Sequence, residues 1–528
     1  MPTAVVVGAG IAGLATAALL AREGFAVTVL ESRDEVGGRA SAFTLDGFRF
    51  DLGPSWYLMP EVFEHFFALM GTSAAAELDL VRLDPAYRVY YENAEPLDLR
   101  SDLEHSVALF ERVEPGAGER LRAYLDSAAD TYTMAVRHFL YTTFASLLPL
   151  VNRDVLRRSP RLGRLLAQSL QGKIDATVRD TRLRQVLGYP AVFLGSAPRL
   201  TPSMYHLMSH LDLVDGVLYP QGGFGTLIAA VRRVAEGAGA RVRTGADVTA
   251  IVTEPAPGRP GGRRARATGV RFRTADGHEH TLDADLVVST ADLHHTEHRL
   301  LPADLRSRSP RWWHAQVPGP STVMVYLGVR GTLPQLAHHS LFFAEAWDET
   351  FDHIFAPQTE APPEPMPDPT SVYLSRITAT DPSAAPEGHE NLVVLVPVPA
   401  DVRLGHGGRD GDGDPWVEQV ADRAIAQIAA WADIPDLAER VVVRRTVGPA
   451  DWATDLRAWR GTALGPAHTL RQSALFRAGN RSRAVDGLLY AGGSVIPGIG
   501  LPMCLISAEL VVKRLRGDTS TGPLGAVG

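Results

Sequence analysis

One feature at the N-terminus constrains this chain more than any other: an apolar strand, a glycine turn, a helix and a second strand follow one another without interruption. Ala4–Val7 is short and apolar, and Gly8-Ala9-Gly10-Ile11-Ala12-Gly13 follows it directly. An alanine-rich stretch then runs to Glu23, Gly24 breaks it, and the strand Ala26–Leu30 ends at Glu31. The spacing predicts a βαβ unit that holds a dinucleotide at its turn. Gly8 makes the tight turn, Gly10 lets the backbone approach a pyrophosphate, and Gly13 lets helix and sheet pack closely. The helix start at Ile11 and Ala12 presents unpaired N–H groups and the positive dipole end to the phosphates. Glu31, roughly 20 residues beyond the turn, stands where a carboxylate accepts hydrogen bonds from the adenosine ribose. An acid there disfavours a 2′-phosphate, and so NADP.

At 528 residues the chain exceeds the usual size of one domain, and two interleaved domains are the natural expectation. Its net charge is −8, and no long basic run appears, so nucleic acid is not an expected partner. Cys504 is the one cysteine, which excludes an internal disulfide and a thiolate metal cluster; no metal site is expected. Ala4–Ala21 is apolar enough to mimic a targeting segment, but its spaced glycines and the lack of a basic lead-in make it part of the fold. No stretch offers the roughly 20 uninterrupted apolar residues of a spanning helix.

The expected fold is α/β, a Rossmann-like nucleotide-binding domain interleaved with an α+β substrate domain. Residues 1–72, 216–305 and 481–516 are assigned to the first, 73–215 and 306–480 to the second, and 517–528 to a disordered tail. Leu121, Leu125, Ala128, Tyr132, Ala135 and Phe139 mark one stripe of a long helix. Asp276-Gly277 marks a hairpin turn. Ala356–Pro369 and Gly405–Asp414 read as loose loops. Near the C-terminus a strand ends in Gly492-Gly493, then Pro497-Gly498-Ile499-Gly500-Leu501-Pro502-Met503 opens a last helix. Such a turn aims backbone N–H groups at whatever the strand tip faces.

Glu31-Ser32-Arg33-Asp34-Glu35-Val36-Gly37-Gly38-Arg39-Ala40, followed by Asp51-Leu52-Gly53-Pro54, resembles the extended signature of the FAD-containing amine oxidase and phytoene desaturase superfamily. The resemblance implies FAD, with the Gly-Gly-Arg loop along the pyrophosphate and Arg39 as a phosphate partner. Arg33, Gly38, Gly53, Pro54 and Val248 complete the N-terminal set expected at the cofactor. Gly492, Gly493, Gly500, Leu501 and Met503 are expected at the N1–C2 carbonyl edge of the isoalloxazine, where negative charge gathers on reduction.

Within the superfamily the chain is most similar to bacterial phytoene desaturases. The matching stretches are Arg182–Gln185 with Phe193–Ser196, Tyr219–Gly223, Thr380–Ser383 with Ala385–Gly388, Arg460–Gly465 before Gln472-Ser473, and Pro497–Met503. Many members carry polar residues where Val495 and Ile496 stand here. No second GxGxxG unit is present, which argues against a built-in NAD(P)H site. Flavin amine oxidases place a lysine near the flavin, whereas Lys173 and Lys513 are the only lysines of this chain.

The resemblance implies desaturation of phytoene or a related carotenoid, with oxygen or a quinone as electron acceptor. Carotenoid isomerase or ketolase, amine oxidase, and a flavin-less prenyl-binding escort protein are the competing readings. Some relatives keep an Arg-Asp pair in a similar place, so if the reaction uses a protein base, Arg153-Asp154 is the candidate. His138–Leu150 is apolar and aromatic, and Arg153, Arg157, Arg158, Arg161 and Arg164 follow it, so 138–165 is the expected contact with a membrane. The expected location is the cytoplasm, peripheral on the inner face of the cell membrane.

Overall fold

A side chain at Gly13 has nowhere to go: a Cβ there would lie 2.0 Å from the Gly8 carbonyl oxygen. The helix Ile11–Arg22 therefore lies close against the turn that follows the strand Thr3–Val7, and every residue from Ile11 to Ala21 is buried. Its alanines serve this crowding, because the helices Phe224–Gly237 and Leu501–Arg516 also pack on it. The computed structural model describes residues 1–151, 153–256, 264–361 and 363–525. Position 152 of the 138–165 stretch, Pro362 of the proline-rich loop, part of 216–305 (257–263) and the last three residues lie outside it.

A parallel sheet runs in the order Leu488–Tyr490, Leu286–Ser289, Thr3–Val7, Ala26–Leu30, Arg241–Arg243. Its strands come from the beginning, middle and end of the chain. Because all five point the same way, the turns after Val7 and Tyr490 emerge at the same edge. Ligands of open α/β sheets bind at that carboxyl edge. A hairpin of Ala265–Thr274 and Glu279–Asp283, turning at Asp276-Gly277, pairs with Ala246–Pro255 in a second sheet.

The third sheet has seven strands, ordered Val441–Val447, Ser321–Arg330, His389–Val398, Val372–Ser375, His339–Phe343, Tyr87–Tyr91, Ala94–Leu99. It is antiparallel except where His339–Phe343 pairs with Tyr87–Tyr91. Alternation along Ser321–Arg330 divides its two faces. Val323, Val325 and Leu327 join a core with Val417, Ala421 and Ile428 of the helix Pro415–Trp431. Thr322 and Met324 face a cavity, and the Tyr326 hydroxyl donates to the Leu52 carbonyl at 2.7 Å.

Three stretches differ from the sequence reading. Gly405–Asp414 is not loose: the Thr446 N–H donates to the Gly408 carbonyl at 2.8 Å, and the Gly407 N–H to Asp451 at 2.7 Å. Its glycines permit close packing, since a Cβ at Gly407 would lie 2.2 Å from the Thr446 backbone. The described part of the tail, 517–525, is tied to the fold. Buried Lys513 donates to the carbonyls of Tyr141 (2.9 Å), Ser520 (2.9 Å) and Gly522 (2.6 Å), and the Leu524 N–H donates to Glu509. Finally, His138–Leu150 is not one apolar anchor. His138, Tyr141, Thr142 and Thr143 are buried, and the large apolar side chains exposed there are Leu147, Leu148 and the following Val151.

Candidate active site

The two glycine turns meet. A Cβ on Gly492, whose φ is +104°, would lie 3.5 Å from the Ala12 Cβ. Together they wall one end of a cavity of about 540 Å³. Gly8, Gly10, Ile11, Ala12, Glu31, Gly38, Arg39, Gly53, Pro54 and Val248 line it from the N-terminal segments, and Gly492, Gly493, Gly500, Leu501 and Met503 from the C-terminal one. Two expected residues do not reach the wall. Gly13 lies under the turn, where its role is packing. Arg33 has its N–H on Glu31 (3.0 Å) and its carbonyl on Gly245 (3.0 Å), which turns the chain away behind Glu31.

Glu31 does two jobs. One oxygen accepts the Ala9 N–H at 2.7 Å, which fixes the glycine turn, while the carboxylate stays on the cavity wall. Gly10 leaves open space instead: the nearest protein atom to a Cβ there is the Gly37 oxygen at 3.9 Å. The turn is thus a cradle that a ligand, not the protein, fills. Arg39 donates from Nε to the Ala463 carbonyl at 2.6 Å, which anchors the guanidinium on the wall. Burial lowers its pKa, partly offset by Asp292, and burial raises that of Asp292 in turn. The anion-seeking N–H groups, the cation and the ribose-side carboxylate fit the charge pattern of FAD.

The other end of the cavity is apolar. Trp56, Leu140, Tyr189, Phe193, Leu207 and Phe343 line it, and Met324, Leu341 and Leu395 of the seven-stranded sheet close one side. Neither lysine is on the wall: Lys173 sits over the Tyr124 ring and Lys513 is bound to carbonyls. Asp212 supports this limb from below, its Oδ2 accepting from Tyr189 (3.0 Å) and Tyr87 (3.1 Å). Burial pushes its pKa up to about 7. Between pH 4 and 7 the folded state keeps that proton and the unfolded state releases it, so this group makes folding less favourable as pH rises. Asp212→Asn removes the effect. Its melting temperature relative to wild type is expected to rise steadily across pH 4–7, by the equivalent of up to about 4 kcal/mol. A pH-independent difference contradicts the assignment.

Arg153 and Asp154 are not on the wall. The Asp154 carboxylate is held by His138 (2.9 Å) and Arg158 (2.9 Å), so it is engaged away from the cavity. Val495 and Ile496 face the core, at 1% and 2% exposure, so the departure from the family pattern there does not alter the wall. Several of the stretches matched in the middle of the chain form a joint. Asp51 accepts the Phe224 N–H at 2.9 Å, Asp381 accepts the Gly222 N–H at 2.9 Å, and Arg49 pairs with Asp381.

Sequence reasoning missed Asp292, His295, Arg457, Cys504, Trp56 and Tyr373 on the wall, and Arg477 behind it. Asp292 had a signal, since it follows the tip of a parallel strand. Buried Arg477 had none. It donates to the carbonyls of Gly493 (2.6 Å), Gln472 (3.1 Å) and Val495 (3.2 Å), and so shapes the C-terminal turn.

The family model of flavin containing amine oxidoreductase matches residues 11–516. A carotenoid 3,4-desaturase of Haloarcula japonica is 39% identical over 514 residues, covering 97% of this chain and 98% of that one. A zeta-carotene-forming phytoene desaturase of Myxococcus xanthus is 36% identical over 97% of this chain and 93% of its own. The chain belongs to the carotenoid desaturase family. It is an FAD-dependent oxidoreductase, as the cradle and the family agree. The fold is shared more widely. An oxidoreductase from Methanosarcina mazei superposes with a TM-score of 0.61 at 17% identity, covering 97% of this chain and 100% of that one. Putrescine oxidase superposes with a TM-score of 0.59 at 16% identity, covering 98% of this chain and 99% of its own.

Proposed function

We propose that this protein desaturates a long apolar isoprenoid, phytoene or a related carotenoid. One observation carries the reading: the glycine turns of both chain ends and an aromatic, aliphatic limb share one cavity. Bound FAD supplies a two-electron acceptor beside the substrate. We assign the N–H groups at Gly10–Ala12 and Arg39 to its pyrophosphate, Glu31 to its ribose, and the Gly492-Gly493 turn with the Leu501–Met503 helix start to its ring. The limb excludes water and aligns the chain of carbons. The names of both quoted relatives support the substrate class. The test is incubation of the FAD-loaded protein with phytoene-bearing liposomes, without oxygen, with and without a quinone. New polyene absorption that requires the quinone for continued turnover is expected. Inertness toward phytoene combined with flavin bleaching by an amine overturns the proposal.

A hydrocarbon this long gains about 0.8 kcal/mol per CH₂ by staying out of water, so it must pass from bilayer to protein directly. We assign the membrane contact to exposed Leu147, Leu148, Val151 and Leu156 with the exposed Arg153, Arg157 and Arg164. Arg158 and Arg161 take no part, because both pair with Asp130. The helix Arg153–Ala167 packs on Ser203–Leu207, which delivers Tyr205 and Leu207 to the cavity wall. No helix among the described residues is long and apolar enough to cross a membrane. Leu147→Asp combined with Leu148→Asp is expected to weaken co-sedimentation with anionic liposomes by roughly 100-fold, from about 1.5 kcal/mol or more per lost leucine. Unchanged co-sedimentation contradicts the assignment. The inner face of the cell membrane is the surface this reading favours.

A further inference from the structure

Where the cradle gives way to the apolar limb, three polar side chains form a line. Ser55 directly follows Gly53-Pro54, and its hydroxyl is hydrogen-bonded to the Tyr373 hydroxyl. Tyr373 Oη in turn lies 2.8 Å from His339 Nδ1. Ser55 and Tyr373 are on the cavity wall. His339 is fully buried behind them, stacked on the wall residue Trp56 at 4.9 Å and against the His338 ring at 4.5 Å. Its Nε2 has no hydrogen-bond partner among the described residues. A hydrocarbon pocket needs none of these groups, and unpartnered buried polar atoms call for a function.

We propose that Ser55, Tyr373 and His339 form the proton relay of the desaturation, with Ser55 as the catalytic residue and the other two positioning it and carrying the proton inward. This role rests on the desaturation reading. FAD, when bound, would take up the hydride that leaves one substrate carbon with its electron pair. On the adjacent carbon a C–H bond breaks and its electron pair becomes the new π bond. That proton binds Ser55 Oγ as the Ser55 hydroxyl proton passes to Tyr373 Oη and the Tyr373 proton to His339 Nδ1. The proton returns along the same line to water once the product has left. Burial holds the His339 imidazole neutral, its pKa well below the ordinary value, so it rests as an acceptor. A weak acceptor suffices, because a C–H bond beside an electron-deficient allylic carbon is far more acidic than an imidazolium.

The test uses FAD-loaded full-length protein, phytoene or zeta-carotene in liposomes, and anaerobic single turnover. Tyr373→Phe and Ser55→Ala are expected to keep wild-type FAD content and apparent KM while slowing polyene formation about 100-fold, the scale of positioned proton transfer. Ser55→Thr, which keeps a hydroxyl, is expected to regain most of the rate. Without substrate, ¹⁵N-histidine NMR is expected to show a neutral His339 whose Nδ1 resonance moves in Tyr373→Phe. Wild-type protein that forms no polyene removes the desaturation reading and this role with it. Active wild type with an equally fast Tyr373→Phe, no rescue by Ser55→Thr, or a cationic His339 at neutral pH removes the role alone.

Discussion

Gly13→Val is expected to abolish folding, whereas Gly10→Ala is expected to fold normally and lose FAD. The two positions lie three residues apart in one motif, yet the structure separates their roles. At Gly13 a Cβ meets the Gly8 carbonyl oxygen at 2.0 Å and the Thr290 hydroxyl at 2.8 Å. Both are held by the parallel sheet, so neither can yield cheaply, and overpacking of this kind costs more than the usual 1–3 kcal/mol, roughly speaking. At Gly10 the backbone is ordinary for any residue, with φ −68°, and the nearest protein atom is 3.9 Å away. A methyl group there occupies only the space the pyrophosphate needs. Purified Gly10→Ala should melt within about 2 °C of the wild-type apoprotein and bind FAD at least about tenfold more weakly. Stoichiometric flavin in Gly10→Ala, or a soluble and cooperatively melting Gly13→Val, contradicts this division.

The second large effect is expected at Arg477, which is not itself on the cavity wall. Its guanidinium is buried and donates to carbonyls of the C-terminal turn and of the Gln472 segment. Burial lowers its pKa to about 10, so it is charged at neutral pH, and no carboxylate among the described residues pairs with it. Carbonyl oxygens are its hydrogen-bonded compensation. Arg477→Met leaves them without that donor, at roughly 1–3 kcal/mol for each one that stays unsatisfied. The turn carrying Gly492 and Gly493 then loses its shape, and FAD should be lost at temperatures where the wild type retains it. Arg477→Lys should recover little, because an ammonium point charge cannot span the positions a planar fork reaches. Calorimetry with flavin absorbance checks both variants. Wild-type melting and flavin content in Arg477→Met would remove the role.

The nucleotide half of the site was legible because its chemistry is local. A strand, a turn and a helix start supply Gly8, Gly10, Ile11 and Ala12 within a few residues, and backbone geometry dictates which of them must be glycine. The C-terminal turn was legible for the same reason. The apolar limb was not. Tyr373, Leu395 and Met324 lie on three strands and come together only through the register of the seven-stranded sheet. Arg477 was invisible because a surface arginine and a buried one look alike in sequence. Arg153-Asp154 was misplaced for a related reason: the pair was carried over by likeness, while its surroundings engage Asp154 with His138 and Arg158. The tail misled by composition. Its glycines and small polar residues suggest looseness, but Lys513 needs their carbonyls to compensate its burial.

Desaturation by this protein requires one FAD held between turns that begin and end the chain, with its ring opening onto the apolar limb. A crystal structure of the FAD-reconstituted protein measures this directly. It should show one FAD per chain, the pyrophosphate within hydrogen-bonding reach of the Gly10–Ala12 N–H groups, and the ring between the Gly492-Gly493 turn and Trp56. A flavin ring directed to solvent, or a pyrophosphate bound away from Gly10, would contradict it.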